Sequence, residues 1–129
     1  MIQPGLEETL QETVTPEMTA SELGSGDVSV LGTPAVVALV ERVAVAAVAG
    51  SLDPGSTTVG ARVELDHLAP TPPGSMVSAT ARLEAVDGRR LTFSFEVSDP
   101  GGPVARGTHH RVVVGREAFQ QAARARGLR

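Results

Sequence analysis

Pro34-Ala-Val-Val-Ala-Leu-Val-Glu-Arg-Val-Ala-Val-Ala-Ala-Val-Ala-Gly50 is apolar at every position between its ends except Glu41 and Arg42. Thr33 offers a capping hydroxyl, Pro34 suits the first helical position, and Gly50 supplies a stop, so the segment is expected to be a helix. Apolar on nearly every side, it is expected to be a core helix that the rest of the chain wraps. Valines give it modest helix propensity, so it needs tertiary packing to form. A carboxylate buried there costs several kcal/mol unless it is paired or put to use. Glu41 therefore calls for an explanation.

The chain after this helix changes period from 3.6 to two. Val59, Ala61, Val63, Leu65 and His67 are expected on one inward face of a strand, with Arg62, Glu64 and Asp66 on the other. Pro70-Thr-Pro-Pro-Gly74 breaks the chain, and Val77, Ala79, Ala81, Leu83 and Ala85 then alternate with polar residues. Asp87-Gly88 signals a hairpin into Leu91, Phe93, Phe95 and Val97. Asp99-Pro-Gly-Gly102 turns into a last strand over 104–114, followed by an Arg- and Ala-rich helix over 116–126. Before the long helix, apolar residues at 6, 10 and 14 with three threonines favour a strand, and 16–32 reads as a long irregular connection with a turn of helix near 20–23. One apolar helix and four strands joined by tight turns imply an α+β fold, an antiparallel sheet wrapped around the helix, with a short C-terminal helix.

The composition bounds the chemistry. With 129 residues, 41% of them apolar, the chain is expected to form a single domain over 1–129. It has no cysteine, so catalysis must use oxygen or imidazole chemistry. A net charge of −4, with no lysine, argues against nucleic acid as a partner. The N-terminal residues lack the basic and apolar regions of a signal peptide, and 35–49 is short for a bilayer, so the expectation is a cytoplasmic protein without a membrane partner.

Thr33, Glu41 and His67 stand out from their local pattern as the candidate catalytic set, because hydroxyl, carboxylate and imidazole together suit acyl transfer. Each has a plainer role: Thr33 as a helix cap, Glu41 as the partner of an arginine at a subunit interface, His67 as a hydrogen-bonded core residue. Eight residues of helix rise about 12 Å, so Thr33 and Glu41 cannot bond directly in one straight helix. His67 and substrate, a folded-back loop or a second subunit must close that gap. The expected arrangement is a site completed at a homodimer interface.

His109-His110 and Asp66-His67 invite a metal reading, but neighbours on a strand point to opposite faces, so no metal site is expected. The glycines form no phosphate-binding pattern. Arg116, Arg124, Arg126 and Arg129 read as a solvated helix end, or as partners for the phosphates of a coenzyme.

The segment from Thr33 to Phe119 resembles the hotdog-fold thioesterase family typified by the fluoroacetyl-CoA thioesterase. The matching pieces are Thr33 with Glu41 eight residues on, Gly60 with His67 seven residues on, Ala69-Pro-Thr-Pro-Pro-Gly74, Val86-Asp-Gly-Arg-Arg-Leu91 and Gly107-Thr-His-His-Arg111. The resemblance implies a hotdog fold and hydrolysis of a short-chain acyl-CoA, with the coenzyme A belonging to the substrate and no separate cofactor. It implies Thr33 as the hydroxyl at the thioester carbonyl, Glu41 as nucleophile or general base, and His67 as the base for water or threonine. Gly60 resembles a substrate-binding amide donor and Arg111 a supporting basic residue. The chain departs from the fluoroacetate-specific member between Met18 and Gly32, where that protein's gating phenylalanines have no aromatic counterpart. Fluoroacetyl selectivity is accordingly not carried over. Hotdog hydratases space their aspartate and histidine several residues apart, unlike Asp66-His67. The remaining alternative is a hotdog protein that binds acyl-CoA or another small ligand without turnover.

Overall fold

The computed structural model describes residues 2–127; Met1 and the Arg129 of the C-terminal arginine cluster lie outside them. Strand β1 (Glu7–Thr13) leads through a 3-10 turn and the short helix α1 (Ala20–Leu23) to the long helix α2 (Thr33–Val48). Four strands follow, β2 (Ser56–His67), β3 (Met76–Asp87), β4 (Arg90–Asp99) and β5 (Gly102–Gly115), and then helix α3 (Arg116–Gly127). They form one antiparallel sheet in the order β1-β3-β4-β5-β2. Helix α2 thus carries the chain from one sheet edge to the other, and among the described residues β2 has no strand beside its outer edge.

The inward rows of β3 and β4 follow their alternation. Val77, Ala79, Ala81 and Leu83 face Leu91, Phe93, Phe95 and Val97, all buried. Against them α2 presses Val36, Leu39, Val40, Val43, Ala44 and Val48, the stripe a 3.6-residue period produces. Two expectations fail at bulges. A register shift between Leu83 and Ala85 turns Ala85 outward, and another between Gly60 and Arg62 leaves Ala61 unpaired. The second shift inverts the parity of β2, so its inner row is Thr58, Gly60, Val63, Leu65 and His67, not Val59 and Ala61 with the rest.

Helix α2 departs from expectation in two further ways. Gly32 takes the cap position and Thr33 is the first helical residue, with no side-chain capping bond; at the other end Gly50 lies within a 3-10 turn over Ala49–Ser51. The helix is also not buried on all sides. Ala38, Arg42 and Val45 are exposed and Val37 and Glu41 half-buried, so among the described residues nothing covers this face. The 16–32 connection is ordered: Thr19 bridges Leu31, Ala20 N–H bonds the Val30 carbonyl, and Leu31 N–H bonds the Thr71 carbonyl. Buried Thr71 in turn donates to Asp99, which fixes the proline-rich loop to the β4–β5 turn.

Candidate active site

Thr33, Val37, Glu41 and Val45 follow one another every four residues, so they form one row along the side of α2 that the core does not use. The row meets strand β2 at two places, Thr33 against His67 and Glu41 beneath Gly60.

At the start of α2, Thr33 Oγ1 lies 2.8 Å from His67 Nδ1. With Gly32 as the cap, the Thr33 hydroxyl is not spent on the helix terminus and is available to the imidazole. His67 is the last residue of β2, and the restored parity after the bulge points it inward. Its Nε2 is buried and, among the described residues, has no hydrogen-bond partner, a costly arrangement for an imidazole nitrogen withdrawn from water.

Two turns further along α2, Glu41 Oε2 receives Nη1 of Arg111 at 3.3 Å. The pair is lopsided: the Arg111 side chain is 7% exposed and that of Glu41 42%. Arg111 is held on its remaining sides by Thr58, whose hydroxyl accepts from Nε at 2.8 Å and whose carbonyl accepts from Nη2 at 3.0 Å. Burial lowers the Arg111 pKa, and the Glu41 charge opposes that shift. Gly60 stands over the carboxylate: a Cβ there would lie 2.5 Å from Glu41 Oε2 and 3.4 Å from Arg111 Nη1. Only a residue without a side chain lets the β2 backbone approach this closely.

The candidate residues therefore form two groups, Thr33 with His67 and Glu41 with Gly60 and Arg111. Among the described residues, no hydrogen bond joins Glu41 to Thr33 or His67, consistent with the rise of about 12 Å between them along the helix. Glu41 is not the core carboxylate its sequence context suggests, because its side of α2 is open. Arg116, Arg124 and Arg126 lie exposed on α3, and His109 and His110 point to opposite faces of β5, the latter bonded to Arg90. Sequence reasoning overlooked Thr58, which no local pattern marks, and weighed His109 only as a metal ligand. His109 is fully buried and bonds both the Arg62 carbonyl and Arg111. The available signal was its i, i+2 relation to Arg111, which places both on one face of a strand.

A family model described as FlK, fluoroacetyl-CoA-specific thioesterase, matches residues 14–117. The fluoroacetyl-CoA thioesterase of Streptantibioticus cattleyicolor is 38% identical over 95 residues, 74% of this chain and 68% of that protein. A point mutant of the fluoroacetyl-CoA-specific thioesterase FlK, solved in complex with fluoroacetate and CoA, superposes with a TM-score of 0.87 at 33% identity, covering 92% of this chain and 99% of that one. A hot-dog-like protein from Thermanaerovibrio acidaminovorans superposes with a TM-score of 0.89 at 28% identity, covering 97% and 93%.

Proposed function

The chain belongs to the family of fluoroacetyl-CoA-specific thioesterases, and from that membership we propose that it hydrolyses a short-chain acyl-CoA to the free acid and coenzyme A, using Thr33, Glu41 and His67. The observation that carries the residue assignment is the 2.8 Å contact between Thr33 Oγ1 and His67 Nδ1 at the open start of α2.

The chemistry asks little of the protein. A thiolate leaves readily, since thiols ionise near pH 8.5, so the barrier lies mainly in adding oxygen to the carbonyl carbon. As a base, Glu41 takes a proton from water as the water oxygen adds to the carbonyl carbon; the C–S bond then breaks, the acid is released and the proton passes to the departing thiolate. As a nucleophile, Glu41 displaces the thiolate to give an acyl anhydride, which water hydrolyses to the acid and free Glu41; His67 takes the proton of that water and returns it to the thiolate. Thr33 directs its hydroxyl to the carbonyl in either route. The Gly60 amide and Arg111 hold the acyl end and the carboxylate. Water and the thioester complete the reaction, with no further cofactor.

The site is completed in a homodimer. Two half-sites on one helix row, an outer β2 edge without a strand beside it, and an apolar α2 face exposed at Val45 all support a second copy as the cover. The acyl preference is set apart from that of the fluoroacetate enzyme by the 16–32 connection, whose tip is Gly24-Ser-Gly-Asp-Val28.

A panel of short, branched, aromatic and fluorinated acyl-CoAs, assayed for released thiol, tests the proposal directly. The cysteine-free chain adds no background to a thiol reagent. Turnover on short acyl groups is expected. Tight calorimetric binding of acyl-CoA with no release of thiol on any member would replace hydrolysis by ligand binding.

A further inference from the structure

The His109 side chain is fully buried on β5, stacked on Phe93 with ring centroids 6.3 Å apart. Its Nδ1 lies 2.8 Å from the carbonyl oxygen of Arg62, the residue that closes the β2 bulge. A carbonyl can only accept, so Nδ1 carries the proton. In the neutral ring Nε2 then holds a lone pair, and Nη1 of Arg111 lies 3.2 Å from it. The same Nη1 reaches Glu41, so its two hydrogens have one acceptor each, while Nε and Nη2 are tied to Thr58.

We propose that His109 is a positioning residue for hydrolysis, an acceptor that fixes Arg111 Nη1 where it aligns the Glu41 carboxylate beneath Gly60. This rests on the assignment of Glu41 to the reaction. A guanidinium held on all sides by buried acceptors cannot swing away when the carboxylate rearranges, and an aligned carboxylate needs no reorganisation during attack. The charged and titratable groups around the ring agree with a neutral state. Burial lowers the His109 pKa below the ordinary 6.5, and Arg111 and His110 push the same way; the Arg62 carbonyl and Glu41 oppose them. Protonation would set two cations side by side and take away the acceptor of Arg111.

Two substitutions separate positioning from packing. His109→Gln places Oε1 close to where Nε2 was and can still accept from Arg111, whereas His109→Asn can still donate to Arg62 but offers Arg111 nothing. The expected result is a loss of kcat of about 10- to 100-fold in His109→Asn, the scale seen for outer partners of fixed catalytic ligands. KM should change less than about threefold, because the substrate's own contacts are untouched and only the alignment of Glu41 is lost. His109→Gln should recover most of the rate. Equal kcat in wild type and a folded His109→Asn variant, or no recovery in a folded His109→Gln variant, would overturn the proposal. If the variants do not fold, nitrogen-15 spectra of the three imidazoles in the unaltered protein decide it: one ring should be neutral with its proton on Nδ1 at pH 6.5, where an ordinary imidazole is half protonated, and the absence of such a ring would overturn the proposal equally. Unimpaired turnover in Glu41→Gln would instead remove the assignment of Glu41, while the spectra would still report on the His109 and Arg111 arrangement.

Discussion

Thr33 and His67 are separated by 34 positions in the chain, yet their Oγ1 and Nδ1 atoms meet at 2.8 Å. The contact exists because α2 begins where β2 ends, and because the bulge at Gly60/Arg62 turns His67 inward. Thr33→Val keeps the shape of the residue but removes the hydroxyl. It should lower kcat by about 100-fold or more, the scale of a lost proton-transfer partner, and Thr33→Ser should retain most of it. Thr33 is exposed, so thermal unfolding should barely move in either variant, and steady-state kinetics beside a melting curve check both statements.

Gly60→Ala places a methyl group 2.5 Å from Glu41 Oε2. The atom in its way is the end of a half-exposed side chain, so the carboxylate turns aside and the fold survives. A fall in kcat of at least about 10-fold is expected, with circular dichroism unchanged. Full activity in the alanine variant would show that the carboxylate position between Gly60 and Arg111 is not the working one.

Val45 is 43% exposed on the same helix row as Glu41. Val45→Asp should be tolerated by a single folded chain but should disrupt a second copy packed on that row, because burying an unpaired carboxylate at an interface costs several kcal/mol. Light scattering should report a monomer, and the monomer should have lost turnover. A monomeric variant with full turnover would remove the dimeric site from the account.

The parts of the fold that were legible are those in which side-chain period and burial coincide. The buried rows of β3 and β4 are written in their alternation, and α2 in its proline, its glycine and its apolar run. Neither bulge was legible, since one extra residue leaves no compositional trace yet inverts every face beyond it. For that reason Ala85 and Ala61 were expected inside and Thr58 was overlooked. The outer face of α2 misled for another reason: apolar residues that stay open on one side of a helix and apolar residues that meet a core have the same composition. Thr33, Glu41, His67, Gly60 and Arg111 all stood out as candidates, through their chemistry or through family resemblance, and the helical rise already kept Thr33 apart from Glu41. Which residues gather at each end was not legible, because it depends on where β2 crosses α2.

The measurement that bears most directly on the central claim is thiol release by Glu41→Gln on the best acyl-CoA of the substrate panel, with folding and oligomeric state verified on the same sample. Glutamine keeps the size of the side chain and can still accept a hydrogen bond from Arg111, but it is neither a base nor a nucleophile. The account predicts a folded dimer with turnover reduced by about 100-fold or more. Turnover equal to that of the unaltered protein would contradict it.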